Sequence, residues 1–216
     1  MIVSARHKFC FVSTPKCGTN SLYQVLQERF GGVRQRPGFH VNRVPSEAAG
    51  DYRWTVVRNP FSRAVSIWWS TVKNVKNRQV CRAELLAARA APKGTHGKVT
   101  GLVCRKDVLA AKGSDDLASF LHWLIEGPAE SAARRSLREN QVDWLRPAEP
   151  FQAVLHLERL EEEVLDLPFW KPAPLPHMNR SDGRPPWRTF ITDKVRELVL
   201  AWAGPDFERF GYATIS

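Results

Sequence analysis

Lys8-Phe9-Cys10-Phe11-Val12-Ser13-Thr14-Pro15-Lys16-Cys17-Gly18-Thr19-Asn20-Ser21 changes character halfway along. Its first half is a short apolar run, the pattern of a buried strand. Pro15 ends the run and Gly18 permits a tight turn. Leu22, Val25, Leu26 and Phe30 then recur at helical spacing, and Gly31-Gly32 stops the helix. The chain therefore opens strand, loop, helix. The same order returns at Tyr52–Val57, a second buried-strand candidate that ends at Arg58-Asn59-Pro60. Pro60 suits the first turn of a helix, expected from about Phe61 to Asn77 with Val65, Trp68, Trp69, Val72 and Val75 on its apolar side. Phe151 to Leu157 reads as a third strand, followed by a helix over Glu158 to Leu165.

The intervening stretches are less regular. Residues 33–50 carry Pro37, Gly38, Pro45 and Gly50 and read as loop, with Phe39-His40-Val41 as a short strand. Residues 78–113 read as a basic insertion. Ser114-Asp115-Asp116 caps a helix bearing Leu117, Phe120, Leu121, Leu124 and Ile125, and a second helix is expected over Glu130 to Glu139. Six prolines between 168 and 188 make an extended loop, and Thr192-Asp193 caps a last helix to about Trp202. Strands alternating with helices predict an α/β fold around a mostly parallel sheet. In such sheets ligands bind beyond the carboxyl ends of the strands, where loops 15–21 and 58–66 lie.

The whole chain of 216 residues fits one domain, 1–216, with the insertion at about 78–113. Hydrophobic residues at 43% and charged residues at 25% exclude wholesale disorder. No apolar run approaches the ~20 residues of a membrane span. The opening Met1–Lys8 lacks a secretory signal's apolar stretch, so we place the protein in the cytoplasm, or as a soluble domain trimmed of an anchor. Lys and Arg number 32 against 22 Asp and Glu, a formal charge of +10 that favours an anionic partner: nucleic acid, membrane surface, or a phosphorylated or sulfated small molecule. Cys10, Cys17, Cys81 and Cys104 form no CxxC pair, which argues against structural zinc; free thiols are the expectation, although Cys81 and Cys104 can pair.

Pro15-Lys16-Cys17-Gly18-Thr19-Asn20-Ser21 joins a strand to a helix start. Backbone N–H groups there carry partial positive charge and hold phosphate or sulfate oxygens. Gly18 lets the backbone approach the anion, Thr19, Asn20 and Ser21 add donors, and Lys16 adds a full charge. An ordinary strand–helix turn with a polar cap has the same composition. A Walker A loop needs a first glycine, and a lysine after the last one; here Lys16 precedes Gly18. Cys17 as a nucleophile activated by the helix end is a weaker alternative, with no His beside it in sequence. Arg58-Asn59-Pro60-Phe61-Ser62-Arg63-Ala64-Val65-Ser66 again joins strand to helix. Arg58 can fork onto a phosphate, Ser66 lies two turns into the helix, and Arg63 is one turn before it. Taken alone, this is a helix start with solvated arginines.

Together the two segments resemble the sulfotransferase superfamily, which uses 3′-phosphoadenosine 5′-phosphosulfate, and most closely its carbohydrate sulfotransferase branch. Pro15 to Leu22 is similar to the family's 5′-phosphosulfate loop, and Arg58 to Ser66 to its 3′-phosphate motif, in matching order and setting. The clear resemblance covers 8–30 and 52–70. Weaker echoes are Asn140-Gln141, His156 to Leu160, Asn179-Arg180-Ser181 and Asp206-Phe207 to Gly211-Tyr212. Asn20 departs from the usual Thr or Ser, and Ser21 stands where cytosolic members carry a Trp that stacks on adenine, so Trp187 or an apolar wall is the candidate for that contact.

The resemblance implies a P-loop-like three-layer sandwich and in-line transfer of a sulfuryl group to an acceptor hydroxyl, with a small molecule or glycan as acceptor and no metal. It implies that Lys16 neutralises the leaving oxygen, that Lys16, Cys17, Gly18, Thr19, Asn20 and Ser21 hold the 5′-phosphosulfate, and that Arg58, Ser66 and Arg180 serve the nucleotide. A base must take the acceptor's proton. His40, between the two motifs, is our choice; Glu47 and His177 are alternatives, and His122 reads as packing. Two other readings compete: a polyanion or nucleic-acid binder, for which no zinc finger, RNP motif or basic zipper is present, and a degenerate P-loop phosphotransferase.

Overall fold

The computed structural model describes residues 1–36, 40–73, 116–126, 136–171, 175–176 and 183–215. The expected insertion at 78–113, with Cys81 and Cys104, lies outside them. The described elements run β1 (Ile2–Ser4), β2 (Phe9–Val12), α1 (Thr19–Phe30), β3 (Val33–Arg34), β4 (Tyr52–Val57) and α2 (Pro60–Trp68). They continue with α3 (Leu117–Glu126), α4 (Gln141–Leu145), β5 (Ala153–His156), α5 (Leu160–Glu163) and α6 (Asp193–Phe210). The fold is α/β, built on a five-stranded sheet in the order β3-β1-β2-β4-β5.

The sheet is mixed rather than mostly parallel. β2–β4 and β4–β5 pair in parallel, with Phe11 opposite Trp54 and Val56 opposite Leu155. β1 runs antiparallel to both β2 and β3. The difference comes from the first eight residues, which form a strand of their own: a tight turn, with Lys8 at φ 51°, folds β1 back on β2. Both parallel crossovers place a helix between their strands, as a parallel pair requires.

Side chains alternate across the sheet, so each strand serves two cores. Phe9, Phe11, Trp54, Val56 and Leu155 pack on one face with Leu22, Val25, Leu26 and Phe30 of α1. Cys10, Val12 and Val57 pack on the other with Trp144 and Leu145 of α4. A third core joins α2, α3 and α6 through Phe61, Ile67, Phe120, Leu124, Val199 and Phe207. This core brings the last helix onto the one that follows β4.

Local chemistry sets the helix ends. Gly31 takes the left-handed conformation at φ 60°, ending α1 where expected. Asn59 caps α2: its Oδ1 accepts from Phe61 N (3.1 Å) and Ser62 N (3.2 Å), with Pro60 at the first helical position. After Trp68 the helix widens into a π turn over Trp69–Lys73. Thr192 caps α6, which passes its expected end near Trp202, kinks at Ala203 and runs on through Pro205 to Phe210. His40 and Val41, expected in a strand, are in irregular chain, and β3 lies earlier at Val33–Arg34. Among the described residues no helix is long and apolar enough to cross a membrane.

Candidate anion-binding site

The first turn bends the chain sharply on its way from β2 into α1. Lys16 and Gly18 both sit at φ 70°, the left-handed region. Left-handed residues at these two positions set that bend between β2 and α1. Gly18 is required twice over, because a Cβ there would stand 2.6 Å from Leu157 Cδ1. Thr14 O accepts from Cys17 N (3.3 Å) and Thr19 Oγ1 (3.0 Å), which stitches the turn beneath. Gly18 makes no side-chain cap, and the first turn of α1 holds no acidic residue. The positive end of the helix is therefore left for an anion.

The second turn is bound directly to the first. Arg58 Nη1 donates to Lys16 O at 3.1 Å, and Arg58 Nε donates to Ser62 Oγ at 2.9 Å. Arg63 Nε donates to Pro15 O at 3.2 Å and its Nη2 to Glu139 O at 3.0 Å. Lys16 Nζ donates to Ser70 Oγ at 2.8 Å, in the π turn. Two loops forty residues apart in sequence thus share one rim of the sheet. Glu158 steadies the second: its Oε1 accepts from Asn59 N (2.9 Å) and its Oε2 from Tyr212 Oη (3.0 Å). Burial and this carboxylate push the Tyr212 hydroxyl's pKa up, so it stays a donor.

The cluster is cationic and crowded. Burial, then the nearby Arg58, lower the Lys16 ammonium to about 8; Arg184 and Arg63 add to the effect. Arg58 is lowered by burial, with Arg184 again acting on it. Arg184, from a third chain segment, adds positive charge near Lys16 and Arg58. Arg184 was missed by sequence reasoning, which chose Arg180 in the same loop; Arg180 lies outside the described residues, as does His177. The legible signal was Gly183-Arg184 at the close of a proline-rich loop.

Arg63 is not a surface arginine near Ser66. It is fully buried beneath the first turn, its guanidinium carbon 5.2 Å from the Trp202 ring centre. Two of its donor nitrogens serve carbonyls, so its role is to brace the loop. Ser66 is half-buried on α2, but the hydroxyl that meets Arg58 belongs to Ser62, four residues on. Thr19 is buried and bound inward, Ser21 is half-buried and Asn20 is exposed at the mouth. The Cys17 side chain turns away from the mouth: its Sγ donates to Gln141 Oε1 at 3.2 Å. Burial pushes the thiol up to about 12, the opposite of activation by a helix end.

His40 reaches the first turn from the chain after β3. Its Nδ1 lies 3.3 Å from Ser13 Oγ, which is 2.7 Å from Tyr23 Oη, and its ring meets Trp144 edge-on at 6.3 Å. The residue is exposed overall, and its contact with Ser13 is half-buried. Desolvation there, and then neighbouring positive charges that include Lys16, hold His40 down at about 4. This shift favours the neutral ring. Glu47 is exposed in a short turn, 3.4 Å from its neighbour Ser46. His122 is not packing: it is exposed and stands 3.3 Å from Glu126. Trp187 stacks on Phe61, with ring planes 3° apart and centres 6.1 Å apart, under Arg188. Glu161 and Glu162 are exposed, whereas Glu163 accepts from His156 and Arg159.

Among the described residues no group of three or more His, Cys, Asp or Glu side chains is placed to hold a metal ion. No family model, curated protein or solved structure matches the chain.

Proposed function

We propose that the protein is a sulfotransferase that moves a sulfuryl group from 3′-phosphoadenosine 5′-phosphosulfate to an acceptor hydroxyl, with a glycan as the acceptor class the sequence resemblance favours. The observation that carries the reading is the bond from Arg58 to Lys16 O, which joins the two motif turns at their cationic residues. A compound with anionic groups at both ends of an adenosine matches two such turns better than a single phosphate does. The uncapped start of α1, without an acid in its first turn, fits the phosphosulfate. Arg58 and Arg184 supply charge for the second phosphate, and Ser62 stands closer to that role than Ser66. The Lys16 ammonium, fixed on Ser70, supplies charge where the leaving oxygen develops it. Neutral His40 takes the acceptor proton.

The covering of both sheet faces, by α1 on one side and α4 on the other, supports a P-loop-like three-layer arrangement. Calorimetry with adenosine 3′,5′-bisphosphate tests the function. Wild type should bind, and Lys16→Ala and Arg58→Ala should bind at least about tenfold more weakly. A wild-type protein that gives no binding heat removes the reading. His40→Ala should keep the nucleotide affinity and lose turnover by on the order of 100-fold or more.

A further inference from the structure

Gln141 opens the short helix α4, is fully buried, and spends every hydrogen-bonding position of its amide. Its Oε1 accepts from Arg58 N (2.8 Å) and from Cys17 Sγ (3.2 Å). Its Nε2 donates to Arg58 O (2.8 Å) and to Asp206 Oδ2 (3.0 Å). A primary amide has two donors and two lone pairs, so nothing is left over and the side chain has one orientation. Asp206, also fully buried, holds Gln141 from behind: its two oxygens further accept from Gln141 N (3.0 Å) and Val142 N (2.9 Å). Asp206 sits on α6, just past the kink at Ala203 and Pro205.

One amide therefore grips both turns at once, the first through the Cys17 thiol and the second through both backbone groups of Arg58. We infer that Gln141, locked by Asp206, is a positioning residue that fixes the separation between the two turns, so that a ligand with an anionic group at each end is bound by both without distortion. This rests on the proposed function, in which one nucleotide spans the two turns. Neither residue touches that ligand. A ligand held at one end senses only its own turn. A ligand held at both must also meet the cost of ordering the turns relative to each other, unless the protein has already met it.

The test compares two-ended with one-ended compounds on the full chain. Calorimetry is run with adenosine 3′,5′-bisphosphate, adenosine 5′-monophosphate and adenosine 3′-monophosphate, on wild type and Gln141→Met. The variant keeps the side-chain length and removes all four hydrogen bonds. We expect the bisphosphate to weaken by about tenfold or more, and each monophosphate by less than about threefold. General loosening of the fold would weaken all three alike. An equal loss across the three compounds, or an unchanged bisphosphate affinity, overturns the inference while leaving the sulfotransferase reading intact. Absent bisphosphate binding in wild type overturns both. If circular dichroism shows that Gln141→Met does not fold, Gln141→Asn, which withdraws the amide by one methylene, is measured in its place with the same expectation. Asp206→Asn should give the same two-ended signature.

Discussion

At the scale of single residues, charge that has been taken out of water decides what the cleft can do. Lys16 is lowered to about 8, chiefly by burial and secondarily by Arg58, so in the empty protein it begins to lose its proton within the working range. A bound anion restores the proton, which makes binding and protonation cooperative. Affinity for adenosine 3′,5′-bisphosphate should be flat below pH 8 and fall above it by up to about tenfold per unit. Lys16→Arg should remove the dependence; a wild-type affinity that stays constant to pH 9.5 contradicts the assignment. His40 is held down at about 4, so sulfuryl transfer should keep its plateau through pH 5 and 6 and decline only as pH approaches 4. A decline centred near the ordinary histidine value of about 6.5 rejects His40 as the base. Cys17 should resist iodoacetamide at pH 8 in the native state and react only after unfolding, as peptide mapping would show. Its identity was legible; its inward direction was not, because the partner that turns it, Gln141, is 124 residues away.

Single elements show how much the motifs owe to local structure. Asn59, part of the arginine-motif pattern, is a helix cap rather than a ligand. Asn59→Ala should cost about 1 kcal/mol and lower Tm by about 2–4 °C. Gly18→Ala forces a side chain into the left-handed region against Leu157, for about 1–2 kcal/mol and a Tm loss of several degrees. A thermal melt unchanged from wild type would contradict either account. The strands at Phe9–Val12 and Tyr52–Val57, and the helix ending at Gly31, were legible because burial, turn and cap signals agree there. The π turn was not. It adds no residue type that a helical pattern excludes, yet it sets Ser70 under Lys16. Deleting Trp69 should rotate Ser70 by about 100° about the helix axis and break that bond.

For the whole molecule, the strand–loop–helix order was legible in the residues, but the sheet's direction was not. Residues 1–8 carry too short an apolar run to be read as a strand, and their pairing makes the sheet mixed. The helix at the chain's far end was likewise cut short at Trp202, since Pro205 reads as a breaker when the packing of Phe207 on Phe61 is unseen. Adenosine 3′,5′-bisphosphate should raise Tm with the logarithm of its concentration, by about 2.7 kcal/mol of added stability at a hundred times Kd. A melt insensitive to the nucleotide would count against the cleft. That distal helix also supports both turns from behind. Trp202 lies beside Arg63, and Asp206 secures Gln141. A chain that stops short of Asp193 keeps Gln141 but loses Asp206 and Trp202, so neither Gln141 nor Arg63 has its support from α6.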